Sequence, residues 1–296
     1  MPVRQRPSVT EAVERSTPLG LVDHLATSPA IEFKNVSIAF DENVVLRDLS
    51  FSIPRGAMRI LLGRSGSGKS VLLKLILGLL RPDSGTVLVN GKQVDHMPEQ
   101  DLLLVRGDIG MVFQENALFD SLSVAENVGY RLSEQKTMPD AQVDARVADV
   151  LTFIGLSEYA DRLPSELSGG QRRRVAIARA MAPAPGILLF DDPITGLDPL
   201  IATTIDNEVV KLRDLEHVTS ILVTHQIRDA FYVATHEAVR HDGTVHVVSA
   251  DAAKLVHVAF MVLHEGRIHF QGSAAELLAS PDPYLRNYLL LTLPPW

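Results

Sequence analysis

The chain has 296 residues, 46% of them hydrophobic and 22% charged, with a formal net charge of −8 at pH 7. This length fits one large domain or two small ones, and the negative charge makes the chain a poor candidate for non-specific binding to nucleic acid. The absence of Cys excludes disulfides and thiolate metal sites, and no apolar run reaches the roughly 18 residues that span a bilayer. Because the N-terminus also lacks the apolar core of a signal peptide, we predict a cytosolic protein with no nucleic-acid partner.

The first third of the chain predicts strands followed by one helix. Residues 1–29 are polar with scattered Pro and Ser, and we predict a loosely ordered arm with a short helix at VTEAVER. Alternating apolar residues in IEFKNVSIAF predict a strand with a bulge, and a second alternating run ends at Ile53. The apolar segment AMRILLG is typical of a strand buried on both faces. From Lys69 onward, apolar residues recur at helical spacing, at Leu72, Leu75, Ile76 and Leu79.

The rest of the chain alternates between helical and strand patterns. VLVNGKQV contains an Asn90-Gly91 pair, which is typical of a hairpin turn. Residues from about 115 to 165 lose strand character and predict helices with polar faces. GILLFDD and TSILVTH then predict two more buried strands. Strands that alternate with helices predict an α/β sheet, here with a helical insertion.

A glycine-rich loop, GRSGSGKS, fits the pattern G-x-x-x-x-G-K-[ST]. Backbone N–H groups in such a loop hold phosphate oxygens, and the following helix adds its positive end. Lys69 would supply charge to the β- and γ-phosphates of ATP, and the Ser70 hydroxyl would bind Mg²⁺. The bland alternative is a Gly-Ser turn between a strand and a helix. The predicted phosphate-site residues are Gly63, Arg64, Ser65, Gly66, Ser67, Gly68, Lys69, Ser70 and Val71.

Two acids follow an apolar strand pattern in FDDPITGL. An apolar run that ends in an acid is how many nucleotide enzymes hold a magnesium ion, which assigns Asp191 to the metal. Asp192 stands where a longer Glu is the usual choice for the chemical step. The sequence therefore leaves open whether the chain hydrolyses ATP or only binds it. We expect Asp192 to be a working base, with Asp192→Glu as fast as the parent or faster.

A second run of small residues precedes a helix in LSGGQRRRVAIARAM. Its backbone amides and hydroxyl suit an anion, although Ser168 is also an ordinary helix cap. LSGGQ, about twenty residues before ILLFDD, resembles the signature of ATP-binding-cassette (ABC) ATPases. The resemblance implies that two head-to-tail chains sandwich two ATP molecules, with each signature completing the opposite site. The implied contacts are Ser168, Gly169, Gly170 and Gln171.

Further motifs occur in the order of that family between about residues 31 and 272. Phe40 resembles the aromatic residue that stacks on adenine, with a core strand residue as the alternative. Gln114 resembles the glutamine that senses Mg²⁺, so that the implied metal ligands are Ser70, Gln114 and Asp191. Asp198 in GLDP resembles a residue that touches the partner chain. His225 resembles the switch histidine near the γ-phosphate, and the implied catalytic residues are Asp192 and His225.

The resemblance implies a P-loop NTPase cassette: a RecA-like core with an antiparallel β-subdomain and an inserted helical subdomain. We assign residues 1–29 to the arm, 30–275 to the ATPase domain, with a helical subdomain at about 115–165, and 276–296 to a C-terminal extension. The extension ends in Trp296 and either packs on a partner subunit or forms a disordered tail. The stretch at about 236–258 is longer than usual for the family, so we expect an extra hairpin or helix-loop there. Most of the ten His lie beyond residue 224, but none shows a familiar metal-ligand spacing.

The transported substrate is suggested by ENALFDSLSVAENVGYRL, Glu115 to Leu132. This segment, like SPDPYLRNYLL near the C-terminus, resembles ATPases of MCE-type (Mla-like) bacterial lipid transporters, although polar amino-acid importers share part of it. The implied partners are a second copy, a multi-spanning permease in the groove of the helical subdomain, an MCE-type lipid-binding protein and a small soluble regulatory subunit. The protein would then lie peripherally on the cytoplasmic face of the inner membrane. The alternatives are a polar-solute importer, a non-transport ABC protein and a weakly hydrolysing scaffold.

Overall fold

A computed structural model describes residues 28–136, 138–241, 244–251 and 255–292. Residues 1–27 of the predicted arm, its short helix and Trp296 lie outside these ranges. The strands are β1 (Ile31–Phe40), β2 (Asn43–Ile53), β3 (Met58–Leu62), β4 (Ser84–Val89), β5 (Lys92–Gln93), β6 (Ile109–Val112), β7 (Ile187–Asp191), β8 (Thr219–Val223), β9 (His236–His241), β10 (Thr244–Ser249), β11 (Val258–His264) and β12 (Arg267–Gly272). The α-helices are α1 (Lys69–Ile76), α2 (Glu99–Gly107), α3 (Val124–Gln135), α4 (Asp140–Phe153), α5 (Gly169–Met181), α6 (Pro199–Leu215), α7 (Ile227–Thr235), α8 (Ala274–Ala279) and α9 (Pro283–Thr292).

The central sheet has the order β12-β11-β3-β8-β7-β6 within the described residues. Its strands run parallel from β11 to β6, and β12 pairs antiparallel with β11 at one edge. The side chains of β3 and β8 are all buried, as their apolar sequences predict. Because the carboxyl ends of parallel strands meet at one edge, the loops after β3, β6, β7 and β8 converge there.

A second sheet is antiparallel and has the order β2-β1-β4-β5 in the described part of the chain. The pairing of β1 with β2 shifts register between Phe33 and Val36, which confirms the predicted bulge. Between β4 and β5, Asn90 and Gly91 have φ of 50° and 75°, as a two-residue hairpin of the predicted kind requires.

Helices α3, α4 and α5 pack together through buried Val, Leu and Ala side chains. The start of α3 is fixed by a capping box, in which the Glu126 N–H donates to Ser123 Oγ and the Ser123 N–H donates to Glu126 Oε2. Asn127 is fully buried, and its amide donates to the carbonyls of Phe119 and Leu122. The loop before α3 is therefore held in place by the helix that it precedes.

Helix α1 is shorter than its apolar pattern predicts. Leu72, Leu75 and Ile76 are buried as expected, but the helix ends at Ile76, and Gly78 follows with φ of 62°. The left-handed glycine turns the chain, so that Leu79 is 54% exposed instead of continuing the buried face. Leu79 lines a surface groove that is described below.

The stretch predicted to carry an extra surface element contains the hairpin of β9 and β10. The hairpin packs on α6, where Arg213 is fully buried and donates to both carboxylate oxygens of Asp214 at 2.6 and 2.7 Å. Arg213 also donates to the carbonyls of Val233 and His236, and the Ala238 N–H donates to Asp214. The base of the hairpin is thus fixed to α6 by backbone hydrogen bonds to the Arg213–Asp214 ion pair.

The described part of the C-terminal extension packs on its own chain. Helix α8 crosses the predicted boundary at residue 275, and α9 follows it. In α9, the Tyr284 ring stacks on His264 with centroids 3.7 Å apart, and Tyr288 lies against the backbone of Gly63. No helix among the described residues combines the length and the apolar character needed to cross a bilayer.

Candidate nucleotide-binding site

The loops at the carboxyl edge of the central sheet surround a cavity of about 390 Å³, here called the nucleotide cavity. Residues that the sequence analysis assigned to five separate motifs meet in its wall. The lining consists of Phe40, Val45, Ser65, Gly66, Gly68, Lys69, Ser70, Val71, Gln114, Asp192 and His225. The topology brings them together, because β3, β6, β7 and β8 all end at this edge.

The loop between β3 and α1 folds around the Lys69 ammonium. Lys69 is buried, and its Nζ donates to the carbonyls of Gly63 at 2.8 Å and Arg64 at 3.0 Å. Burial lowers the pKa of Lys69, while the charges of Asp192 and Asp191 act in the opposite direction. A Cβ on Gly68, where φ is 99°, would lie 2.7 Å from a methyl group of Leu46, so only glycine fits this point of the loop.

Asp191 and Ser70 provide a pair of oxygen atoms that could bind a metal ion at the base of the nucleotide cavity. The Ser70 hydroxyl donates to Asp191 Oδ1 at 3.2 Å. Burial raises the pKa of Asp191, and the bond from Ser70 lowers it. A carboxylate and a hydroxyl are the hard oxygen ligands that Mg²⁺ prefers, and Gln114 lies in the wall of the same cavity. The residues present therefore fit a magnesium ion.

The side chain of Asp192 contacts His225, the residue that resembles the switch histidine of the family. Nδ1 of His225 lies 3.0 Å from both carboxylate oxygens of Asp192, and the His225 N–H donates to Oδ1 at 3.3 Å. The backbone of Asp192 is left-handed, with φ of 47°, and its N–H donates to the Val223 carbonyl. Asp adopts this conformation more readily than longer side chains do, because its carboxylate bonds locally.

Phe40 ends β1 at the mouth of the nucleotide cavity and is 44% exposed. The exposure argues against the alternative of a core strand residue. Around the same mouth, Arg64 and Ser65 are exposed, whereas Ser67 Oγ is buried without a hydrogen-bond partner in the described structure.

The second glycine-rich loop lies elsewhere, since neither Ser168 nor Gln171 lines the nucleotide cavity. Ser168 caps α5, with the Gln171 N–H donating to its Oγ at 3.3 Å and its own N–H donating to Gln171 Oε1 at 2.8 Å. Gly169 and Gly170 pack against the start of α6, where a Cβ on Gly170 would collide with Ile201. Among the described residues of one chain, this loop is a capped helix start that lies outside the nucleotide cavity.

Asp198 also caps a helix. Its Oδ1 accepts hydrogen bonds from the N–H groups of Leu200 and Ile201, both at 3.1 Å, at the start of α6. Asp198 does not line the nucleotide cavity, although its neighbours Leu197 and Pro199 share a second, smaller cavity with His225.

Sequence reasoning missed two arginines of α5 that hold the segment containing Gln114. Arg173 donates to the carbonyls of Phe113 and Gln114, each at 2.6 Å, and Arg179 donates to those of Asn116 and Ala117. The run of three arginines after LSGGQ is a signal for Arg173, whereas Arg179 lies beyond it. The run does not reveal which arginine points inward, because that depends on the packing of α5.

The histidines near the C-terminus do not gather into a metal site in the described ranges, where no three His, Asp or Glu side chains come together around one point. His264 and His269 pack instead on Tyr284, with ring centroids 3.7 and 5.1 Å away. His269 also pairs with Asp282 at 3.2 Å.

The matching family model and the similar known proteins point to the same family. A family model described as ABC transporter matches residues 46–195, about half of the chain. The sulfate/thiosulfate import ATP-binding protein CysA of Mycobacterium tuberculosis is 41% identical over 221 residues, which cover 75% of this chain and 61% of that protein. The Fe(3+) ions import ATP-binding protein FbpC of Escherichia coli is 38% identical over 215 residues, covering 73% and 60%. The chain thus matches about three fifths of the length of these curated relatives.

A solved structure extends the comparison to the fold. The dimeric structure of a post-hydrolysis state of an ATP-binding cassette, bound to ADP and Pi, aligns with a TM-score of 0.67 and 28% identity. The alignment covers 82% of this chain and 98% of that one.

Proposed function

Because the chain belongs to the ABC transporter family, we propose that it is the subunit that binds and hydrolyses ATP to power a membrane transporter. The observation that carries the proposal is the convergence of three elements on one cavity: the Lys69 loop, the Ser70–Asp191 pair and the Asp192–His225 pair. A nucleotide-binding scaffold would need the first two, but it would not need a carboxylate held by a histidine.

ATP binding follows from the loop between β3 and α1. The phosphates would lie against its backbone N–H groups and the N-terminus of α1, with Lys69 as the nearest positive charge. The Lys69 ammonium now bonds to loop carbonyls, so phosphate oxygens would compete with these acceptors. Phe40 would stack on the adenine ring. Mg²⁺, held by Ser70, Gln114 and Asp191, would supply positive charge to the phosphate oxygens.

Hydrolysis would use Asp192 as general base. Its carboxylate accepts a proton from the attacking water, as the water oxygen bonds to the γ-phosphorus and the bond to the ADP oxygen breaks. His225 orients the carboxylate, because its Nδ1 is equally close to both oxygens. The carboxylate of Asp192 is therefore oriented before any substrate binds.

The structure revises one expectation for this site. On sequence grounds Asp192→Glu should equal or exceed the parent, but the left-handed backbone and the two 3.0 Å contacts suit the shorter acid. One more methylene would move the carboxylate by roughly 1.5 Å, and a misplacement of about 1 Å can cost on the order of a hundredfold in rate. We now expect Asp192→Glu to be slower than the parent.

The test is steady-state phosphate release by the parent, Asp192→Asn and Asp192→Glu, each with its ATP affinity measured separately. Asp192→Asn should release phosphate about a hundredfold more slowly with unchanged ATP affinity. An Asn variant as fast as the parent would show that Asp192 is not the base. A Glu variant that is faster than the parent would contradict the fit to the shorter acid.

A second copy of the chain would complete each site. Ser168, Gly169, Gly170 and Gln171 lie outside the nucleotide cavity of their own chain, and Asp198 lies at the same end of α6 as Ile201, which contacts Gly170. These residues are proposed to meet the nucleotide of the opposite chain in a symmetric dimer. The similar cassette solved with ADP and Pi is described as dimeric, which supports this arrangement.

The membrane partner is proposed to dock in a groove of about 620 Å³ between the end of α1 and the start of the helical part. The groove has a mainly apolar lining, with exposed Leu79, Phe113, Phe119 and Tyr130. The Phe119 and Tyr130 rings lie 4.4 Å apart, so they form one aromatic surface. A short amphipathic helix of a permease fits such a surface, and binding there would place the protein on the cytoplasmic face of the inner membrane.

Crosslinkers at Leu118 or Phe119 test the docking site in membranes from the natural host. Capture of a multi-spanning protein is expected, with the same probe at Glu158, on the 3₁₀ segment Ser157–Tyr159, as the control that captures less. Recovery of only soluble proteins would refute the transporter role.

The cargo has two candidates. The curated relatives carry the names of sulfate/thiosulfate and Fe(3+) importers, which supports the import of a small hydrophilic ion. Lipid transport rests on the segment Glu115 to Leu132 and on the C-terminal ending, and the relatives give it no support. The proteins that co-purify with the captured permease discriminate the two: a soluble solute-binding protein indicates ion import, and an MCE-type protein with a small soluble subunit indicates lipid transport.

A further inference from the structure

Three consecutive arginines follow the signature loop, and each bonds to a different part of the chain. Arg172 donates to the Leu167 carbonyl at 2.6 Å, and Arg174 donates to the Ile154 carbonyl at 3.1 Å. Arg173, between them, reaches out of α5 to the segment that follows β6. Only this middle arginine therefore connects α5 with a wall of the nucleotide cavity.

Arg173 is 3% exposed and holds two adjacent carbonyls. Its Nη1 donates to Phe113 and its Nη2 to Gln114, both at 2.6 Å, while its Nε is buried without a partner among the described residues. Burial lowers the pKa of Arg173, whereas the charges of Asp192 and Glu115 favour its protonated form. A guanidinium in this position fixes the direction of the Gln114 backbone, because a planar fork allows little rotation about two parallel bonds.

The segment beyond Gln114 needs an external hold. Asn116 and Ala117 have φ of 61° and 51°, a left-handed conformation that is unfavourable for Ala in particular. Arg179 donates to both of their carbonyls, and its guanidinium lies 5.8 Å from the ring centre of Phe119 in the docking groove. Helix α5 thus holds residues 113–117 at two points, one beside the nucleotide cavity and one beside the groove.

We propose that Arg173 is a positioning residue that sets the place of Gln114 at the nucleotide cavity according to the position of α5. The inference rests on the proposed function, in which Ser168 at the start of α5 meets the nucleotide of a second copy. A displacement of α5 by that contact would reach Gln114 through one side chain, because Arg173 lies five positions after Ser168 on the same rigid helix. Binding in one site would then adjust the Mg²⁺ end of the other.

The first experiment needs no nucleotide and compares hydrogen exchange in the full chain. Arg173→Met removes both bonds, Arg173→Lys keeps the charge but not the fork, and Arg174→Met is the matched control on the same helix. Amides of residues 113–119 should exchange roughly tenfold faster in Arg173→Met, because two charge-assisted bonds are lost, with Arg173→Lys between it and the parent. Arg174→Met should leave this segment unchanged. Parent-like exchange in Arg173→Met would overturn the proposal.

The second experiment measures equilibrium binding of a fluorescent ATP analogue with and without Mg²⁺. Without Mg²⁺, Arg173→Met should bind the analogue as tightly as the parent does. The increase in affinity on adding Mg²⁺ should be about tenfold smaller in the variant than in the parent, because Gln114 is no longer held. If circular dichroism shows that Arg173→Met is unfolded, Arg173→Lys takes its place in both experiments. Unchanged enhancement by Mg²⁺ in the variant overturns the inference alone. A parent that binds no analogue overturns the proposed function itself.

Discussion

The two glycine-rich loops of the molecule share a local design but differ in what surrounds them. Each places small residues before a helix, and each could hold an anion by its backbone N–H groups. The loop before α1 faces the edge of the central sheet, where Asp191, Asp192 and His225 are also delivered. The loop before α5 lies outside the nucleotide cavity, and in the described structure the Ser168 side chain bonds only to its cap partner Gln171.

A glycine-rich loop becomes a phosphate site only through the residues that surround it. In the first loop, the Lys69 ammonium lies near the charges of Asp192 and Asp191 of the same chain. The second loop contains no charged residue, yet its Gly170 packs tightly on Ile201 of α6. A loop that is fixed in place but chemically incomplete is what a site shared between two chains requires.

Lys69→Ala should produce the largest effect. Its removal takes the only buried ammonium from the described part of the nucleotide cavity, so MgATP affinity should fall roughly a hundredfold or more. Equilibrium binding to the isolated chain measures this. Normal binding by the variant would break the assignment of the first loop as the phosphate site.

Ser168→Arg should separate the two loops. Turnover should be lost, because a bulky cation blocks the contact with the opposite chain, while MgATP binding to a single chain stays within about twofold of the parent. Phosphate release and equilibrium binding are measured on the same preparation. Loss of binding in the single chain would mean that the two loops serve one site within one chain.

Gly170→Ala and Gly169→Ala are a matched pair for the packing of the second loop. A Cβ at Gly170 collides with Ile201 Cγ2, whereas at Gly169 the nearest atom, in Leu197, is 3.6 Å away. Gly170→Ala should lower the free energy of unfolding by about 1–3 kcal/mol, and Gly169→Ala should change it by less than about 0.5 kcal/mol. Denaturant unfolding measures both. Trimming the neighbour with Ile201→Ala, which removes Cγ2, should restore part of the loss, and equal values for the two glycines would refute the tight contact.

A pH-dependent effect on stability is expected from Asp206, a buried residue of α6. Asp206 is buried, has an unpaired oxygen in the described structure and lies near the charge of Asp229, so burial first and then Asp229 raise its pKa to about 8. A raised pKa means that the folded chain binds a proton that the unfolded chain has released. The stability contribution is therefore present below about pH 4 and is lost as the pH rises through about 8.

Asp206→Asn should remove that loss. Relative to the parent, its free energy of unfolding should rise with pH between 5 and 8, by on the order of 3 kcal/mol at the upper end. Thermal unfolding at a series of pH values measures the difference. A difference that does not depend on pH would show that Asp206 does not hold the extra proton.

The sequence predicted the elements with strong periodicity or turn chemistry, and the reasons for its failures are physical. The fold prediction of a P-loop cassette is confirmed by the family match and the aligned cassette. The strand ends that carry Asp191 and His225 were placed correctly because buried parallel strands have a clear apolar pattern. Leu79 was wrongly extended into α1, since periodicity alone does not register a left-handed glycine as a helix end.

The contacts that the sequence could not give depend on side-chain direction between distant segments. Arg173 reaches residues sixty positions away, and the burial of Asp206 follows from how α6 packs on α7. On sequence alone, Asp192 looked like a defect, because a longer Glu is usual at this position of the motif. Its left-handed backbone and its two contacts with His225 make it a fit to the place where it stands.

The most direct test of the shared site is the molar mass of the chain in solution, by sedimentation equilibrium with and without MgATP. The chains are Asp192→Asn, in which hydrolysis should be about a hundredfold slower, and Asp192→Asn combined with Ser168→Arg. Both should sediment as single chains without ATP, and only the first should double its mass at saturating MgATP. A double variant that also dimerises, or an Asp192→Asn chain that stays single while it binds MgATP, would contradict the account.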